Sequence, residues 1–395
     1  MFLPCSLVAQ TNVPTHGMVS SAHPLATEAG LDVLKSGGNA IDAAIAVGFT
    51  LGVVDTHNSG IGGGCFLLIR LANGKIVAID GREMAPSAAT RDMFLRDGKG
   101  NTELSQTGPL ASGVPGEVAA FDYAVRHHGN KKLKDLILPA ADIAEKGFAI
   151  SAGYAGRLES VASDLAKFEA SRAIFLPGGK APAAGDILKQ PDLAKTYRAI
   201  AARGSDWFYR GEFATATEKW MKANGGIMTA ADFAKYRIVL RKPVRTTYRG
   251  REIVSFAPPS SGGVHVVQML NILENFDVKS LDEVTRWHAI AETMKLAFAD
   301  RAYWLGDPDY ANVPRGLVSK KYATTLARRI DLKRASEVKE SRLAACVGSA
   351  NLFEKHTTHW SVADAEGNWV ACTATINTSY GSKVVIPGNG RSVEQ

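Results

Sequence analysis

The stretch from His356 to Gly381 constrains the fold of this chain more than any other segment. Its sequence is HTTHWSVADAEGNWVACTATINTSYG. Thr358 to Ala363 alternates apolar and polar residues and is rich in β-formers, residues 364–368 have the composition of a tight turn, and Trp369 to Ile376 is a second β-rich run. This pattern predicts a β-hairpin whose two strands are joined by the turn at residues 364–368.

Threonines lie at the open end of this hairpin. Thr357 and Thr358 open the first strand, and Thr375 and Asn377 close the second. A threonine hydroxyl is a weak nucleophile unless a base lies beside it, and one solution makes the threonine the first residue of a chain, so that its α-amine is the base. That amine has a reference pKa of about 7.7–8.0, so part of it is neutral near pH 7. The Thr357 hydroxyl would first have to cleave the bond after His356. Taken alone, a pair of threonines on a strand is far more often ordinary sheet structure.

The same stretch resembles the junction between the large and small subunits of γ-glutamyltranspeptidase, an N-terminal-nucleophile hydrolase. That family has a TTH[YW]SV segment with the autoprocessing threonine, a DxxGNxV turn and a T-x-N-[TS]-x-[FY]-G end, and this chain contains all three. The resemblance implies cleavage between His356 and Thr357, with Thr357 as the nucleophile. It also implies that Thr375 bonds the nucleophile's terminus and that Asn377 contacts the substrate backbone.

A second matching segment is DGREMAP, residues 80–86, at the end of a predicted hairpin with the turn Asn73-Gly74. An arginine at the end of a strand can bind a carboxylate with two hydrogen bonds, although a structural arginine is the commoner case. The family motif is D-[FG]-REMAP, and its arginine holds the α-carboxylate of the γ-glutamyl substrate. The resemblance therefore assigns this role to Arg82.

Glycines are concentrated in SGIGGGCFLLIR, from Ser59 to Arg70. A dinucleotide-binding loop follows a strand and opens a helix, whereas this segment follows a predicted helix and opens a strand, and it lacks the Lys-Ser/Thr of a P-loop. We therefore expect the glycines to permit close backbone packing at a bend. The family has a similar turn, in which a fourth glycine stands where this chain has Cys65.

Composition excludes several classes of function. The chain has 395 residues and a net charge of +7, but its charges are scattered, which argues against a nucleic-acid partner. Its four cysteines have no CxxC spacing, so neither a metal site nor a redox dithiol is indicated, and no cofactor is expected. Cys65 and Cys372 lie in apolar runs and are expected to be buried.

The sequence also bears on membrane spans and export. The run from Ala43 to Val54 is too short to span a membrane. The N-terminal segment MFLPCSLVAQT lacks a complete signal peptide.

Three local patterns predict further elements. Asn39 should cap a helix that is apolar nearly all round and therefore buried. Tyr248 to Ala257 reads as one strand. Ser280 and Glu283 have the spacing of a capping box for a long helix, residues 281–304.

The resemblance implies an α/β fold of the N-terminal-nucleophile hydrolase class, with stacked antiparallel sheets between helical layers (αββα). It divides the chain into a large-subunit-like region, residues 1–356, and the start of a small-subunit-like region, residues 357–395. The sequence departs from the family pattern after Pro387. We therefore expect the second region to be truncated and the fold to be incomplete at the C-terminus.

The implied activity is that of a γ-glutamyltransferase and glutathione hydrolase. Such an enzyme transfers the γ-glutamyl group of glutathione or other γ-glutamyl compounds to water or to amino-acid or peptide acceptors through a γ-glutamyl-threonine intermediate. Its partners include the large and small fragments of its own precursor, and its location is periplasmic or secreted. Two alternatives are an amidase of the same fold, such as a β-lactam acylase, and an inactive truncated fragment. The amidase would retain Thr357 but need a different acyl pocket.

Overall fold

The structure is a computed structural model that describes residues 16–337 and 357–388 and the backbone of residues 391–392. These residues form two compact units, of which the second begins at Leu240. The first unit contains the chain up to Val239 together with the segment from Thr357 onward. The predicted boundary between residues 1–356 and 357–395 concerns cleavage of the chain rather than packing, and it stays a prediction.

The strands are β1 (Met18–Ser20), β2 (Gly64–Arg70), β3 (Ile76–Gly81), β4 (Leu95–Arg96), β5 (Lys99–Gly100), β6 (Phe148–Ala149), β7 (Ile187–Leu188), β8 (Val239–Arg241), β9 (Val244–Tyr248), β10 (Arg251–Ser255), β11 (Thr357–Ala363), β12 (Trp369–Thr375), β13 (Val385–Ile386) and β14 (Arg391–Ser392).

The α-helices are α1 (Pro24–Lys35), α2 (Ala40–Val54), α3 (Thr102–Gln106), α4 (Glu117–His128), α5 (Leu133–Lys146), α6 (Ala152–Ser160), α7 (Ala162–Leu165), α8 (Glu169–Phe175), α9 (Pro191–Arg203), α10 (Ser205–Arg210), α11 (Glu212–Ala223), α12 (Ala230–Lys235), α13 (Ser261–Leu273), α14 (Glu283–Trp304) and α15 (Lys320–Ala327). Short 3-10 helices span Pro109–Ala111, Pro177–Gly179 and Arg315–Val318.

A six-stranded sheet with the order β1-β11-β12-β2-β3-β8 organises the first unit, and its first five strands pair antiparallel. The predicted hairpin is confirmed as β11 and β12, in which Thr357 pairs with Thr375. This sheet and the surrounding helices confirm the α/β class. The other sheets of the described residues are two-stranded.

Helix α2 lies in the centre of the first unit, and all fifteen of its residues are buried. The predicted cap is confirmed, because the Asn39 side chain accepts from the Asp42 N–H while the Asp42 carboxylate accepts from the Asn39 N–H. The indole Nε1 of Trp360 donates to the Ala44 carbonyl, which joins α2 to the buried face of the hairpin. Each large apolar side chain buried in this core contributes about 1.5–3 kcal/mol to stability.

Asp364 connects the hairpin turn to the start of α2. Its carboxylate accepts hydrogen bonds from the N–H groups of Glu366 and Asn368 within the turn, and from the N–H of Ala40 at the first position of the helix. A negative charge is favourable at a helix N-terminus because the first N–H groups have no partner inside the helix. The far end of the hairpin is therefore held firmly.

Two sequence-based predictions in the second unit are wrong. Residues 248–257 form a hairpin rather than one strand, because Arg249 and Gly250 adopt positive φ values of 49° and 78° and make a two-residue turn between β9 and β10. Helix α14 is capped by Asp282, whose carboxylate accepts from the Thr285 N–H, whereas the Ser280 hydroxyl donates to a carbonyl in the preceding turn.

Candidate active site

The candidate site lies at the end of the sheet where β11 starts and β12 ends, beside the ends of central strands. Thr357 pairs with Thr375, and Thr375 pairs on its other side with Gly64 of β2. Strand β3 ends at Gly81 beside the start of β2, so Arg82, the next residue, lies at this same end of the sheet. With neighbouring strands about 4.8 Å apart, the Cα atoms of Thr357 and Arg82 are separated by roughly 14 Å, or three strand spacings.

Thr357 is exposed on the sheet face opposite to α2, because side chains alternate between the two faces along a strand. Its Oγ1 donates a hydrogen bond of 3.1 Å to Oγ1 of Thr375. The same Thr375 oxygen accepts a 2.8 Å hydrogen bond from the N–H of Asn377. Asn377 is exposed and has a positive φ of 71°, so the chain turns sharply immediately after the strand.

Among the described residues, the hydroxyl of Thr375 orients the Thr357 hydroxyl, and no basic group is hydrogen-bonded to it. Within residues 16–337 and 357–388, no histidine ring and no carboxylate accepts a hydrogen bond from this hydroxyl. A threonine in this position needs a base from another source to act as a nucleophile. An N-terminal threonine has such a base in its own α-amine, which a cut in the preceding peptide bond would create.

Two consecutive glycines let the backbone of β2 approach the end of β12. A Cβ atom on Gly63 would lie 2.1 Å from the carbonyl oxygen of Thr375, which is far inside van der Waals contact. A Cβ atom on Gly64 would lie 2.8 Å from Oε2 of Glu83. This geometry explains the glycine-rich sequence as close packing at a bend, as its order relative to helix and strand predicted.

Arg82 is held at the sheet edge by its neighbours. Its Nη2 donates a 3.0 Å hydrogen bond to Oε1 of Glu83, and its guanidinium lies 5.6 Å from the ring centroid of Phe66. Its backbone carbonyl accepts from the Tyr236 hydroxyl. The contacts with Glu83 and Phe66 orient the guanidinium. Because 39% of the Arg82 side chain is exposed, an anion in solvent can reach it.

His359 lies two residues after Thr357 on the same sheet face and was not predicted as a site residue. Its Nδ1 is 2.8 Å from the Thr373 hydroxyl and its Nε2 is 3.3 Å from the Ser361 hydroxyl. Partial burial lowers the pKa of His359 below its ordinary value of 6.5, so the ring is neutral near pH 7. Strand alternation, counted from Thr357, is the signal that could have found it.

Asp55 lies behind the site on the buried side of the sheet and was also missed. It is the C-cap of α2, and it is 6% exposed. Burial raises the pKa of its carboxyl to about 6, against partial opposition from the side chains of Asn58, Thr358 and Arg157. An acidic residue directly after the apolar run of α2 is the sequence signal that could have pointed to it.

The structure brings three of the predicted site residues together: Thr357, Thr375 and Asn377 are joined by two hydrogen bonds. Arg82 lies at the same edge of the sheet, across β12 and β2. His356, the residue before the predicted cleavage point, lies outside the described residues. The catalytic and binding roles of all five residues stay predictions.

Other predicted features concern metals, thiols and membranes. In the part of the chain that the structure describes, no group of three or more His, Cys, Asp or Glu side chains could hold a metal ion. Cys65 and Cys372 are buried free thiols, as their apolar surroundings predicted. Among the described residues, no helix combines the length and the apolar character that crossing a bilayer requires.

Several known proteins are similar to this chain in sequence. A family model described as Gamma-glutamyltranspeptidase matches residues 26–393. The glutathione hydrolase proenzyme of Escherichia coli (strain K12) is 44% identical over 383 residues, which are 95% of this chain and 65% of that protein. The acylase ACY 1 proenzyme of Pseudomonas sp. (strain SE83) is 41% identical over 386 residues, or 95% of this chain and 68% of that protein.

A solved structure extends the comparison to three dimensions. The crystal structure of Helicobacter pylori gamma-glutamyltranspeptidase superposes with a TM-score of 0.80 at 41% identity, and the match covers 88% of this chain and 98% of that one. The chain thus spans about two thirds of the length of curated relatives, and its fold is that of a solved relative.

Proposed function

From the premise that this chain belongs to the gamma-glutamyltranspeptidase family, we propose that it cleaves its own backbone before Thr357 and then transfers γ-glutamyl groups. The donors are glutathione or related γ-glutamyl amides, and the acceptors are water and the amines of amino acids or peptides. The observation that carries the proposal is the exposed Thr357 hydroxyl, which is hydrogen-bonded to Thr375 at the start of a strand.

The first step is an intramolecular acyl shift. Oγ1 of Thr357 attacks the carbonyl carbon of residue 356, the C–N bond breaks, and the nitrogen takes the hydroxyl proton and becomes a free α-amine. Water then hydrolyses the resulting ester, which releases the carboxylate of residue 356 and restores the Thr357 hydroxyl. The hydrogen bond to Thr375 favours one rotamer of the nucleophile, so less orientational freedom is lost in the attack.

The second step uses the amine made by the first. The α-amine accepts the proton of Oγ1 as this oxygen attacks the γ-carbonyl of the donor, and the protonated amine then gives a proton to the leaving nitrogen. The products are a γ-glutamyl ester on Thr357 and the free amine of the donor. Water or an acceptor amine then displaces the γ-glutamyl group by the reverse sequence of proton transfers.

Arg82 is the proposed binding group for the α-carboxylate of the donor. Its guanidinium is oriented by Glu83 and by the ring of Phe66, and 39% of its side chain is exposed. A paired hydrogen bond between a guanidinium and a carboxylate is strong and directional. Asn377, exposed directly after the Thr375 pair, is proposed to contact the substrate backbone.

The principal alternative is an acylase, since a relative named as an acylase is nearly as similar to this chain as the glutathione hydrolase is. Both activities use the same nucleophile and differ in the acyl group they bind. The oriented guanidinium of Arg82 favours a donor with an α-carboxylate, because a simple acyl chain offers it no anion.

Processing and location follow from the same proposal. Cleavage before Thr357 would produce two fragments that stay associated, since β11 and β12 are central strands of the sheet that the preceding segment builds. A periplasmic or secreted location is proposed on the chain's membership of the family.

The test is the intact mass of the purified protein under denaturing conditions, for the wild type, Thr357→Ala and Thr357→Ser. We expect two fragments separated between His356 and Thr357 in the wild type, slower cleavage with serine, and one uncut chain with alanine. Hydrolysis of a γ-glutamyl anilide should follow the extent of cleavage. An uncut wild-type chain without hydrolysis would favour the inactive fragment, and cleavage with hydrolysis of simple acyl amides alone would favour the acylase.

A further inference from the structure

A turn at the end of α2 supports the candidate site from the buried side of the sheet. This turn, residues 55–59, starts at Asp55, and its backbone carbonyls reach the segment that follows β12. The carbonyl of Asn58 accepts a 3.2 Å hydrogen bond from the Ile376 N–H, and the carbonyl of His57 accepts one of the same length from the Tyr380 N–H. The turn therefore holds the loop on which Asn377 lies.

The Asp55 side chain makes a second link, to the strand that carries the nucleophile. Thr358 follows Thr357 directly, but its side chain points to the buried face and is 3% exposed. Its hydroxyl lies near enough to the Asp55 carboxylate to stabilise the charged form. Neither Oδ2 of Asp55 nor Oγ1 of Thr358 completes a hydrogen bond with ideal geometry among the described residues. A hydrogen bond between the two side chains would give both of these buried atoms a partner.

Other polar groups fix the Asp55 carboxylate in place. Oδ1 accepts a 2.9 Å hydrogen bond from Nδ2 of Asn58 and lies 3.4 Å from Nε2 of His57. The charged or titratable groups that face it from other elements are Arg157 on α6 and Tyr380 after β12. The carboxylate is thus held through Oδ1, while Oδ2 is buried and has no hydrogen-bond partner among the described residues.

We propose that Asp55 is a positioning residue for Thr357: when ionised, it accepts a hydrogen bond from the Thr358 hydroxyl and fixes the end of β11, so that Oγ1 of Thr357 is aimed at the scissile carbonyl. This inference rests on the proposed function, because it assigns a role in the same reaction. Asp55 does not touch the substrate and exchanges no proton with it.

The physical argument concerns the terminus that cleavage creates. Once the chain is cut, Thr357 is the first residue of a strand and loses the covalent restraint on its amino side, so its backbone torsions are free to vary. The hydroxyl pair with Thr375 restrains its side chain, and its backbone is paired on one side only, with β12, because β1 pairs with β11 no further than Ser361. A hydrogen bond between the Thr358 hydroxyl and the fixed Asp55 carboxylate restrains that backbone from the buried side of the sheet. Protonation of Asp55 removes the charge and weakens this restraint.

The experiment measures kcat and KM for hydrolysis of a γ-glutamyl anilide between pH 5 and 9, with cleavage monitored by intact mass. The variants are Asp55→Asn, Thr358→Val and Thr358→Ser. We expect the wild-type kcat to rise in two steps, one near pH 6 from Asp55 and one from the Thr357 amine. Asp55→Asn and Thr358→Val should each lose the lower step and reduce kcat at pH 7.5 about tenfold, the effect of losing a hydrogen bond to a charged group, with KM within about twofold. Thr358→Ser retains the hydroxyl and should keep both steps.

The outcomes separate this inference from the proposed function. If the wild type neither cleaves itself nor hydrolyses the anilide, the proposed function fails and the role of Asp55 fails with it. If the wild type is active and Asp55→Asn keeps the lower step, the inference alone is overturned. If Thr358→Ser also loses the rise of kcat near pH 6, the inference is overturned, because the rise would then depend on packing of the threonine methyl group and not on the hydroxyl. Circular dichroism at each pH verifies folding, and the Thr358 pair keeps the test decisive if Asp55→Asn does not fold.

Discussion

The Thr357 hydroxyl donates a 3.1 Å hydrogen bond to the hydroxyl of Thr375, its direct partner across the two strands of the hairpin. The two lie eighteen positions apart in sequence, and the antiparallel register places them side by side. The same Thr375 oxygen accepts the N–H of Asn377. One threonine therefore links the proposed nucleophile to the loop after the strand, and it is the contact on which the first prediction rests.

Replacing Thr375 should slow both self-cleavage and hydrolysis. Thr375→Val keeps the shape and β-propensity but removes the acceptor, so the Thr357 rotamer is no longer held, and we expect a loss of about ten- to a hundredfold in rate. Thr375→Ser should lose much less, since the oxygen remains. The measurement is the rate of fragment appearance by intact mass. Thr373→Val is the matched control, because Thr373 lies on the same face of the same strand and bonds His359 instead. Equal slowing in that control would contradict the prediction.

Replacing Arg82 should impair one substrate and spare another. For Arg82→Ala, we expect kcat/KM for a γ-glutamyl anilide to fall by about a hundredfold or more, as typical when a charged hydrogen bond is lost from a binding site. For a 4-aminobutyryl anilide, which lacks only the α-carboxylate, the same change should have little effect. A lysine at this position cannot form the paired hydrogen bond and should recover only part of the difference. Equal losses on both substrates would show that the arginine has a structural role.

Adding a methyl group at Gly63 should disrupt the sheet edge. Gly63→Ala places a Cβ 2.1 Å from the Thr375 carbonyl oxygen, and the backbone of a central strand cannot move away cheaply. We expect a loss of about 3 kcal/mol or more in the free energy of unfolding, measured by urea denaturation. Gly156→Ala is the control, because no atom lies within 4 Å of its added Cβ in helix α6. That change should stabilise the protein by about 0.5–1 kcal/mol. A tolerated Gly63→Ala would exclude the close packing described for this bend.

Asp55 should make the stability of the fold depend on pH. Its pKa is raised from 3.8 to about 6 by burial, so the folded chain binds this proton more tightly than the unfolded chain does. The unfolding free energy therefore falls as the pH rises from about 4 to about 6, and the full cost above pH 6 is about 3 kcal/mol. Asp55→Asn should remove this decline, so that the variant is the more stable protein at pH 7 and nearly equal to the wild type at pH 4.

Urea denaturation at pH 4, 5, 6 and 7 measures this dependence. Asp206→Asn is the control, since its carboxylate is exposed and forms an ion pair with Arg210 on the surface of the same helix. We expect it to follow the wild type within about 0.5 kcal/mol at every pH. If the unfolding free energy of Asp55→Asn falls by the same amount between pH 4 and pH 6, the pH dependence arises from other groups. A stabilising replacement that slows catalysis is the behaviour expected of a residue retained for function.

The sequence predicts much of the local structure correctly. Asn39 was predicted to cap a buried helix, and it does so through a reciprocal pair with Asp42 because the side chains three residues apart face the same terminus. The hairpin was readable from its alternation and its turn residues. Tyr248 to Ala257 was misread, because the turn at Arg249 and Gly250 interrupts a run whose β-propensity is continuous.

What the sequence by itself determined is the hairpin that begins at Thr357, the capped apolar helix before it and the family to which the motifs belong. These are properties of short segments, in which local propensity, alternation and turn chemistry agree. The tertiary structure alone decided that Arg82 shares a sheet edge with Thr357 and that Asp55 lies beneath Thr358. Such contacts join residues separated by hundreds of positions, and they exist only because strand register and helix packing bring those positions together.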